Sequence, residues 1–239
     1  MVQEMVIGIP GPWDRASFVQ SVVGSTKSEF MFAGRILVHL PAQDHVELDF
    51  DDFFPQMVEA FRIAGQEKIS QETLAAIALH KGIAYLHFPL ELLTQQTRIS
   101  KFTGIMQQIG GYAIKVESSG IAHEWKRWFS LINSNNPFDT YCAVVVLTGD
   151  NNDYYSCGMH HFGLPESQVS RAMPIQEAAD LLNRFNYYQI EEKPNLASGH
   201  TFSLTADSRY YRIKLLKDYR HPDDDLFHNP FGVWNLDAI

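Results

Sequence analysis

The stretch Met5-Val-Ile-Gly-Ile-Pro-Gly-Pro-Trp13 decides how the N-terminal half begins to fold, because a short apolar run ends abruptly in prolines and glycines. An apolar run of this length, bounded by such breakers, predicts a buried strand that stops before Trp13. Asp14 is placed to cap a following helix, and Phe18 belongs to the apolar stripe of that helix. The chain is therefore predicted to start with a strand followed by a helix.

Outward from this start, strands and helices alternate through the first half of the chain. The residues favour strands at 30–40, 46–50 and 83–88 and helices at 52–64 and 70–81, with Ser70 as the cap of the second helix. The resulting order, β-α-β-β-α-α-β, is that of a ferredoxin-like unit with one extra helix.

The second half repeats this order after a linking helix. Strands are predicted at 112–117, 141–147, 154–160, 200–204 and 210–215, and helices at 123–131 and 174–188, the latter with Pro174 in its first position. We therefore predict an α+β protein of two ferredoxin-like (βαββαβ) units, with mixed or antiparallel sheets and helices packed on them. The predicted boundaries are 1–92 for the first unit, 93–111 for the linking helix, and 112–239 for the second unit with its Pro- and Asp-rich tail.

The composition indicates a folded protein with an acidic surface. The chain has 239 residues, 45% of them hydrophobic, and a formal net charge of -9. Such a chain lacks the clustered Lys and Arg of a nucleic-acid-binding protein. The N-terminus does not resemble a signal peptide and no apolar run is long enough to span a bilayer, so we predict a cytoplasmic protein without membrane contact. A charged partner is expected to present a basic face.

The segment Tyr154-Tyr-Ser-Cys-Gly-Met-His-His161 is the most distinctive in the chain. Its adjacent histidines suggest a metal site when taken with His221, His228 and the aspartates at 223–225, because imidazole and carboxylate groups bind zinc and iron. However, strand alternation would point His160 and His161 to opposite faces, and no metal-ligand spacing is present. We predict neither a metal nor a cofactor. Side chains alternate between the two faces of a strand. If Cys157 is buried, the residues that face outward are therefore predicted to be Tyr154, Ser156, Gly158 and His160.

An enzymatic alternative uses the same segment. Cys157 beside His160 could serve as a nucleophile with its base, although a cysteine in an apolar strand is more often an inert buried thiol, as we also predict for Cys142. Lys115 and Glu117 share one strand face, either as an acid/base pair or as an exposed ion pair. An enzyme would be a small hydrolase or transferase with a site between the units, built from His160, Cys157, Glu117 and His228.

A protein-binding function rests on aromatic and acidic residues. Tryptophan and tyrosine favour interfaces because they combine a large apolar area with a polar tip. The aspartates at 223–225 lack the alternation and the glycine of a calcium loop, so they predict a solvated corner or a contact for a basic partner. We favour binding over catalysis, because the polar clusters lack the spacing of working active sites. The predicted binding residues are Trp13, Tyr154, His160, Asp223, Asp224, Asp225 and Trp234.

Five strings of sequence, taken together, resemble a known family. They are Ile7-Gly-Ile-Pro-Gly-Pro-Trp13, Ala113-Ile-Lys-Val-Glu-Ser-Ser-Gly-Ile-Ala-His123, Tyr154-Tyr-Ser-Cys-Gly-Met-His160 with Gly163-Leu-Pro165, Gly199-His-Thr-Phe-Ser203 and Phe227-His-Asn-Pro-Phe-Gly-Val-Trp234. In this combination the chain resembles bacterial domain-of-unknown-function family 4261 over nearly its whole length. The resemblance implies a bacterial cytosolic α/β protein and carries over no activity or catalytic residue. Because families of this kind are associated with toxin immunity, we expect a protein that neutralises a toxin by binding it.

Overall fold

A computed structural model describes residues 4–25 and 29–239. The chain divides between Asn135 and Asn136 into two compact units. Each unit combines a β-sheet with helices, which confirms the predicted α+β class. The division differs from the predicted boundaries at residues 92 and 111, and the strand pairing described below explains the difference.

The first unit contains seven strands and five helices within its described residues. All of its strand pairs are antiparallel. The strands are β1 (Glu4–Gly11), β2 (Phe30–Ala33), β3 (Ile36–His39), β4 (Asp44–Asp52), β5 (Gly82–Pro89), β6 (Ile114–Val116) and β7 (Ile121–His123), and the helices are α1 (Arg15–Ser25), α2 (Met57–Ala64), α3 (Gln71–Ile77), α4 (Leu92–Gln108) and α5 (Trp125–Ile132).

The strand β1 lies inside the first sheet, whose order is β2-β3-β4-β5-β1-β6-β7. Nearly every residue of β1 is buried, as its apolar sequence predicts. Asp14 accepts a hydrogen bond from the Ser17 amide at 2.8 Å at the start of α1, and Ser70 accepts one from the Thr73 amide at 3.2 Å at the start of α3. Both predicted helix caps are therefore confirmed.

Three features of the first unit differ from the prediction. The single strand predicted at 30–40 is two strands, since the chain turns back at Gly34 with φ of +67°. Residues 112–123, which we assigned to the second unit, extend the first sheet, because β6 pairs with β1 and with β7, a strand that we did not predict. The predicted linking helix is α4, a packed element of the first unit: Phe102 is fully buried and lies edge-on to Phe30 at 5.8 Å. The ferredoxin-like arrangement is thus not confirmed in detail.

The second unit contains a six-stranded mixed sheet, two α-helices and a short 3-10 helix within the described residues. Its elements are α6 (Pro137–Val144), β8 (Val146–Gly149), β9 (Asp153–Cys157), β10 (Glu166–Ser170), α7 (Ile175–Glu192), β11 (Thr201–Ser203), β12 (Tyr210–Leu216) and β13 (Val233–Ala238). The sheet order is β11-β12-β13-β10-β9-β8, and only β10 and β13 pair in parallel.

The core of the second unit lies between α7 and this sheet. The apolar period predicted for 174–188 is confirmed: Ala178, Leu181, Leu182 and Phe185 of α7 are buried against β10, β12 and β13. Pro174 immediately precedes the helix.

Two elements of the second unit correct the prediction. Residues 141–144 form the end of helix α6 and not a strand, because Pro137 starts a helix that Asn136 caps by accepting from the Phe138 amide at 3.0 Å. The predicted tail ends in a central strand, since β13 pairs with both β12 and β10. Trp234 is consequently a core residue.

Candidate functional site

A tight turn follows β9 in the second unit. Gly158 has φ of +122°, and a Cβ atom there would lie 2.3 Å from the Val144 carbonyl oxygen, so only glycine fits. The chain then forms a short 3-10 helix at Met159–Phe162. The predicted strand at 154–160 therefore ends at Cys157, three residues early.

This turn brings two histidine rings together. The rings of His160 and His161 lie 4.1 Å apart between centroids, and both side chains are buried. Burial, followed by the neighbouring His160, holds the pKa of His161 well below its ordinary value, so His161 is neutral. The prediction that strand alternation separates the two rings is wrong, because a 3-10 helix does not alternate its side chains.

The carboxylate of Glu166, at the start of β10, is the centre of the site. It is buried and accepts hydrogen bonds from the Ser156 hydroxyl at 2.7 Å, the Gly158 amide at 2.9 Å and the Met159 amide at 2.8 Å. Because a buried charge is costly without donors, these contacts fix the turn onto β10.

Two further donors reach the same carboxylate. Nδ1 of His160 lies 3.3 Å from Oε1 of Glu166, and Nδ2 of Asn229 lies 3.0 Å from that oxygen. A carboxylate only accepts, so Nδ1 of His160 carries the proton. Burial raises the pKa of Glu166, but the hydrogen bond and the electrostatic attraction of His160, together with the hydrogen bonds from Ser156 and Asn229, outweigh it and leave the pKa below its ordinary value.

Asn229 connects Glu166 to a second buried carboxylate. The Asn229 amide donates to Oδ2 of Asp218 at 3.0 Å, and its side chain also donates to the Leu164 carbonyl oxygen at 2.9 Å. Oδ1 of Asp218 accepts from the Arg220 amide at 3.0 Å. Residues 217–232, which we call the acidic loop, are therefore attached to the core near both ends.

Arg220 forms a further attachment of the acidic loop. Its guanidinium donates to Asp150 at 3.0 Å, to Asp153 at 3.1 Å and to Gln168 at 2.7 Å, and it lies 4.2 Å from the centroid of the Tyr155 ring. Backbone hydrogen bonds from the β8–β9 turn, reinforced by Arg220, lower the pKa of Asp150 to about 2. The carboxylate of Asp150 is therefore ionised at neutral pH and holds the arginine in place.

The outer side of the acidic loop carries exposed apolar and acidic side chains. Tyr219 is 84% exposed, Leu226 is 48% exposed and Phe231 is 41% exposed. Asp223 and Asp224 are also exposed. The loop thus combines an inner side held by buried polar contacts with an outer side open to solvent.

The structure buries most of the residues that the sequence analysis selected. Trp13 lies in the core of the first unit, where its indole nitrogen donates to the Ile109 carbonyl oxygen at 2.7 Å. Trp234 and His160 are buried in the second unit, and Tyr154 is half-buried. Ser156 and Gly158 are buried too, which corrects the predicted outward face. Of the predicted binding residues, Asp223 and Asp224 are exposed and Asp225 is half-exposed.

The residues of the enzymatic alternative are likewise enclosed. Cys157 is buried as predicted, and burial followed by the charge of Glu166 raises the pKa of its thiol well above the ordinary value. Cys142, on helix α6, is only half-buried, contrary to the prediction. His228 is buried, and its Nδ1 donates to the His221 carbonyl oxygen at 3.0 Å. Glu117 belongs to the first unit, where it pairs with Lys115; both side chains are mostly buried.

The sequence analysis missed Glu166, Asp218, Arg220 and Asn229. Glu166 stands outside any local motif, and its contact with Asn229 spans 63 positions of the chain. A possible signal was the isolated Glu166 directly after Gly163-Leu-Pro165, where a charged residue starts an otherwise uncharged strand. Such a residue requires buried donors from elsewhere in the fold.

The described residues hold neither a cluster suited to a metal ion nor a helix suited to a membrane. Across residues 4–25 and 29–239, no three His, Cys, Asp or Glu side chains are grouped so as to hold a metal ion. In the same part of the chain, none of the helices is both long and apolar enough to cross a membrane.

Comparison with known proteins supports the family resemblance for part of the chain. Residues 155–236 match the family described as domain of unknown function (DUF4261). The match is confined to the second unit, whereas we expected it over nearly the whole chain. It contains Glu166, the two histidines and the acidic loop. No curated protein and no solved structure matches the chain.

Replacing Glu166 by Gln should destabilise the protein by about 3 kcal/mol near neutral pH, because an amide donor then faces buried donors and the charge is lost. The pKa of Glu166 is lowered on folding, so the wild-type advantage is complete above the ordinary carboxyl pKa of 4.5 and disappears as the pH falls through the lower folded value. Urea denaturation of both proteins across this range measures the difference. Glu177→Gln, at an exposed position of α7, should change stability by less than about 0.5 kcal/mol. Equal stability of Glu166→Gln and wild type would contradict the assignment.

Cys157 should resist alkylation in the folded protein, because burial both blocks access and raises the pKa of its thiol. Treatment with N-ethylmaleimide, followed by peptide mass spectrometry, should label Cys142 first and Cys157 only after denaturation. Faster labelling of Cys157 than of Cys142 would restore it as a candidate nucleophile.

Proposed function

We propose that this protein binds another protein through the acidic loop and that its partner presents a basic face. The observation that supports this most is the attachment of the loop: Asp218, Arg220 and Asn229 hold it on the core while Tyr219 stays 84% exposed. Binding residues are often found on loops that a rigid scaffold positions. A loop that is already ordered loses little conformational entropy when it binds.

The side chains on the outer side are of the kinds that dominate protein interfaces. Tyrosine provides a large contact area with a hydrogen-bonding tip, and the exposed Leu226 and Phe231 of the same loop add apolar area. Asp223 and Asp224 supply the charge that would select and attract a basic surface. Asp223 has an ion pair with Lys217 at 3.4 Å, but both groups are exposed, so the pair is weak and can be exchanged for a partner's cation.

The partner class that we propose is a toxin, which the protein would neutralise by covering a functional surface in the bacterial cytoplasm. This part of the proposal rests on the family resemblance and on the net charge of -9, because a basic enzyme surface is attracted by an acidic inhibitor. Under this proposal the chain itself has no catalytic role.

The enzymatic alternative has less support. His160, Cys157 and His228 all have buried side chains, and the raised pKa of the Cys157 thiol opposes a thiolate nucleophile. The hydrogen bonds of Glu166 have a structural role, since they connect a strand, a turn and the acidic loop to one another. A hydrolase or transferase site would need groups that a substrate can reach.

Co-expression with the products of the adjacent genes tests the proposal. The tagged protein should co-purify with one such product and protect cells from its toxicity. The double variant Asp223→Lys, Asp224→Lys should weaken binding at least tenfold, because it reverses charge at the proposed contact, and Tyr219→Ser should act in the same direction.

The matched control is the double variant Glu192→Lys, Asp207→Lys, which makes the same charge change at exposed positions of the second unit outside the acidic loop. It should bind as wild type does. The proposal would be wrong if no adjacent gene product bound the protein. It would also be wrong if the control variant lost as much binding affinity as the loop variant.

A further inference from the structure

A second surface with exposed apolar residues lies in the first unit. Phe53 and Phe54 follow β4 and are 53% and 45% exposed, and Leu79 follows α3 and is 75% exposed. All three are adjacent to the buried His80, either in space or in the chain. We call Phe53, Phe54, Leu79 and His80 the His80 patch.

His80 fixes the two phenylalanines. Its Nδ1 donates to the Ile77 carbonyl oxygen at 2.7 Å, and its Nε2 accepts from the Phe54 amide at 3.0 Å. The ring of Phe53 stacks on the imidazole with centroids 4.8 Å apart and an interplanar angle of 28°. The Nδ1 contact anchors His80 to the buried Ile77, so that Nε2 holds the backbone of Phe54 and one ring face holds the side chain of Phe53, both of which remain exposed.

Consecutive exposed aromatic residues are unfavourable on a surface that meets only water. Phe53 and Phe54 are both exposed, Leu79 precedes His80 in the chain, and neighbouring apolar residues on a surface often mark an interaction site. An aromatic side chain that is already held in position, as Phe53 is by the imidazole, binds with a small loss of rotamer freedom. The buried His80 therefore positions exposed aromatic residues.

The charge beside the patch indicates what it binds. Asp51 and Asp52 end β4 directly before the phenylalanines, and both are exposed. Lys81, which follows His80, contributes one positive charge against the two negative charges of the aspartates, so this region keeps an excess of negative charge. We propose that the His80 patch binds a basic amphipathic segment of a partner protein, whose apolar side chains pack on Phe53, Phe54 and Leu79 and whose Lys or Arg residues pair with Asp51 and Asp52.

The same charges disfavour the other natural occupants of an apolar patch. A second copy of this chain would bring two pairs of aspartates around one apolar contact, and like charges that face each other across an interface are costly. An anionic membrane surface would be repelled for the same reason. A basic segment gains from both the apolar area and the charge.

Binding at the His80 patch does not depend on the function proposed for the acidic loop. The His80 patch belongs to the first unit, whereas the acidic loop belongs to the second, and the family match includes only residues of the second. Each surface can therefore be tested without the other.

The experiment measures binding of a fluorescein-labelled peptide with three Leu-Lys-Lys-Leu repeats to the full chain, by fluorescence anisotropy at physiological salt. We expect saturable binding to the wild-type protein. The affinity should fall at least tenfold in the double variant Phe53→Ser, Phe54→Ser and in the double variant Asp51→Lys, Asp52→Lys. Ile175→Ser, a matched control at a 56% exposed position of the second unit, should bind as wild type does. A peptide of Leu-Glu-Glu-Leu repeats should not bind.

Amide hydrogen exchange locates the site directly. The lysine peptide should slow exchange at 51–54 and 79–81, and Leu79→Ser, which changes a side chain outside the core, should weaken binding without altering the unfolding midpoint. Equal binding by wild type and the patch variants, or protection confined to the acidic loop, would overturn the inference. Self-association of wild type that Phe53→Ser, Phe54→Ser abolishes would also overturn it, because the occupant would then be a second copy.

Discussion

The carboxylate of Glu166 is the group on which the second unit depends. An ionised carboxylate that has lost its hydrating water must receive hydrogen bonds from the protein. Without them it takes up a proton or destabilises the surrounding fold. Five donors satisfy it here, from Ser156, Gly158, Met159, His160 and Asn229. Because these donors belong to β9, the following turn and the acidic loop, one charge fixes three parts of the chain relative to β10.

This arrangement links stability to the proposed binding surface. Asn229 donates from its side chain to Glu166 and from its backbone amide to Asp218, so it connects the two carboxylates. Arg220 attaches the loop to the β8–β9 turn through Asp150. An acidic loop without such attachments would sample many conformations and would lose more entropy on binding. In the first unit, His80 performs a comparable task on a smaller scale for Phe53 and Phe54.

Local patterns were sufficient to predict part of the fold. The caps Asp14 and Ser70, the strand near Ile83 and the apolar period of α7 follow from residues close together in sequence. Residues 141–147 misled the prediction because Tyr141-Cys-Ala-Val-Val-Val-Leu147 favours a strand by composition, whereas Asn136 and Pro137 start a helix upstream that runs into it.

The site was less predictable, for a physical reason. Whether the rings of His160 and His161 diverge or come together depends on the turn at Gly158, where the backbone of Val144, distant in the sequence, leaves no room for a side chain. Trp13 and Trp234 have the chemistry of interface residues, yet strand pairing and helix packing enclose both. The donors of Glu166 are brought together only by the complete sheet.

Native-state hydrogen exchange at the amides of Gly158, Met159 and Asn229, which donate to Glu166 or Asp218, tests whether the two carboxylates hold the turn and the acidic loop. We expect these three amides, although they lie outside the strands, to exchange as slowly as the amides of β13 and to open only when the second unit unfolds. Exchange as fast as at the exposed Asp224 would show that the carboxylates hold neither the turn nor the loop.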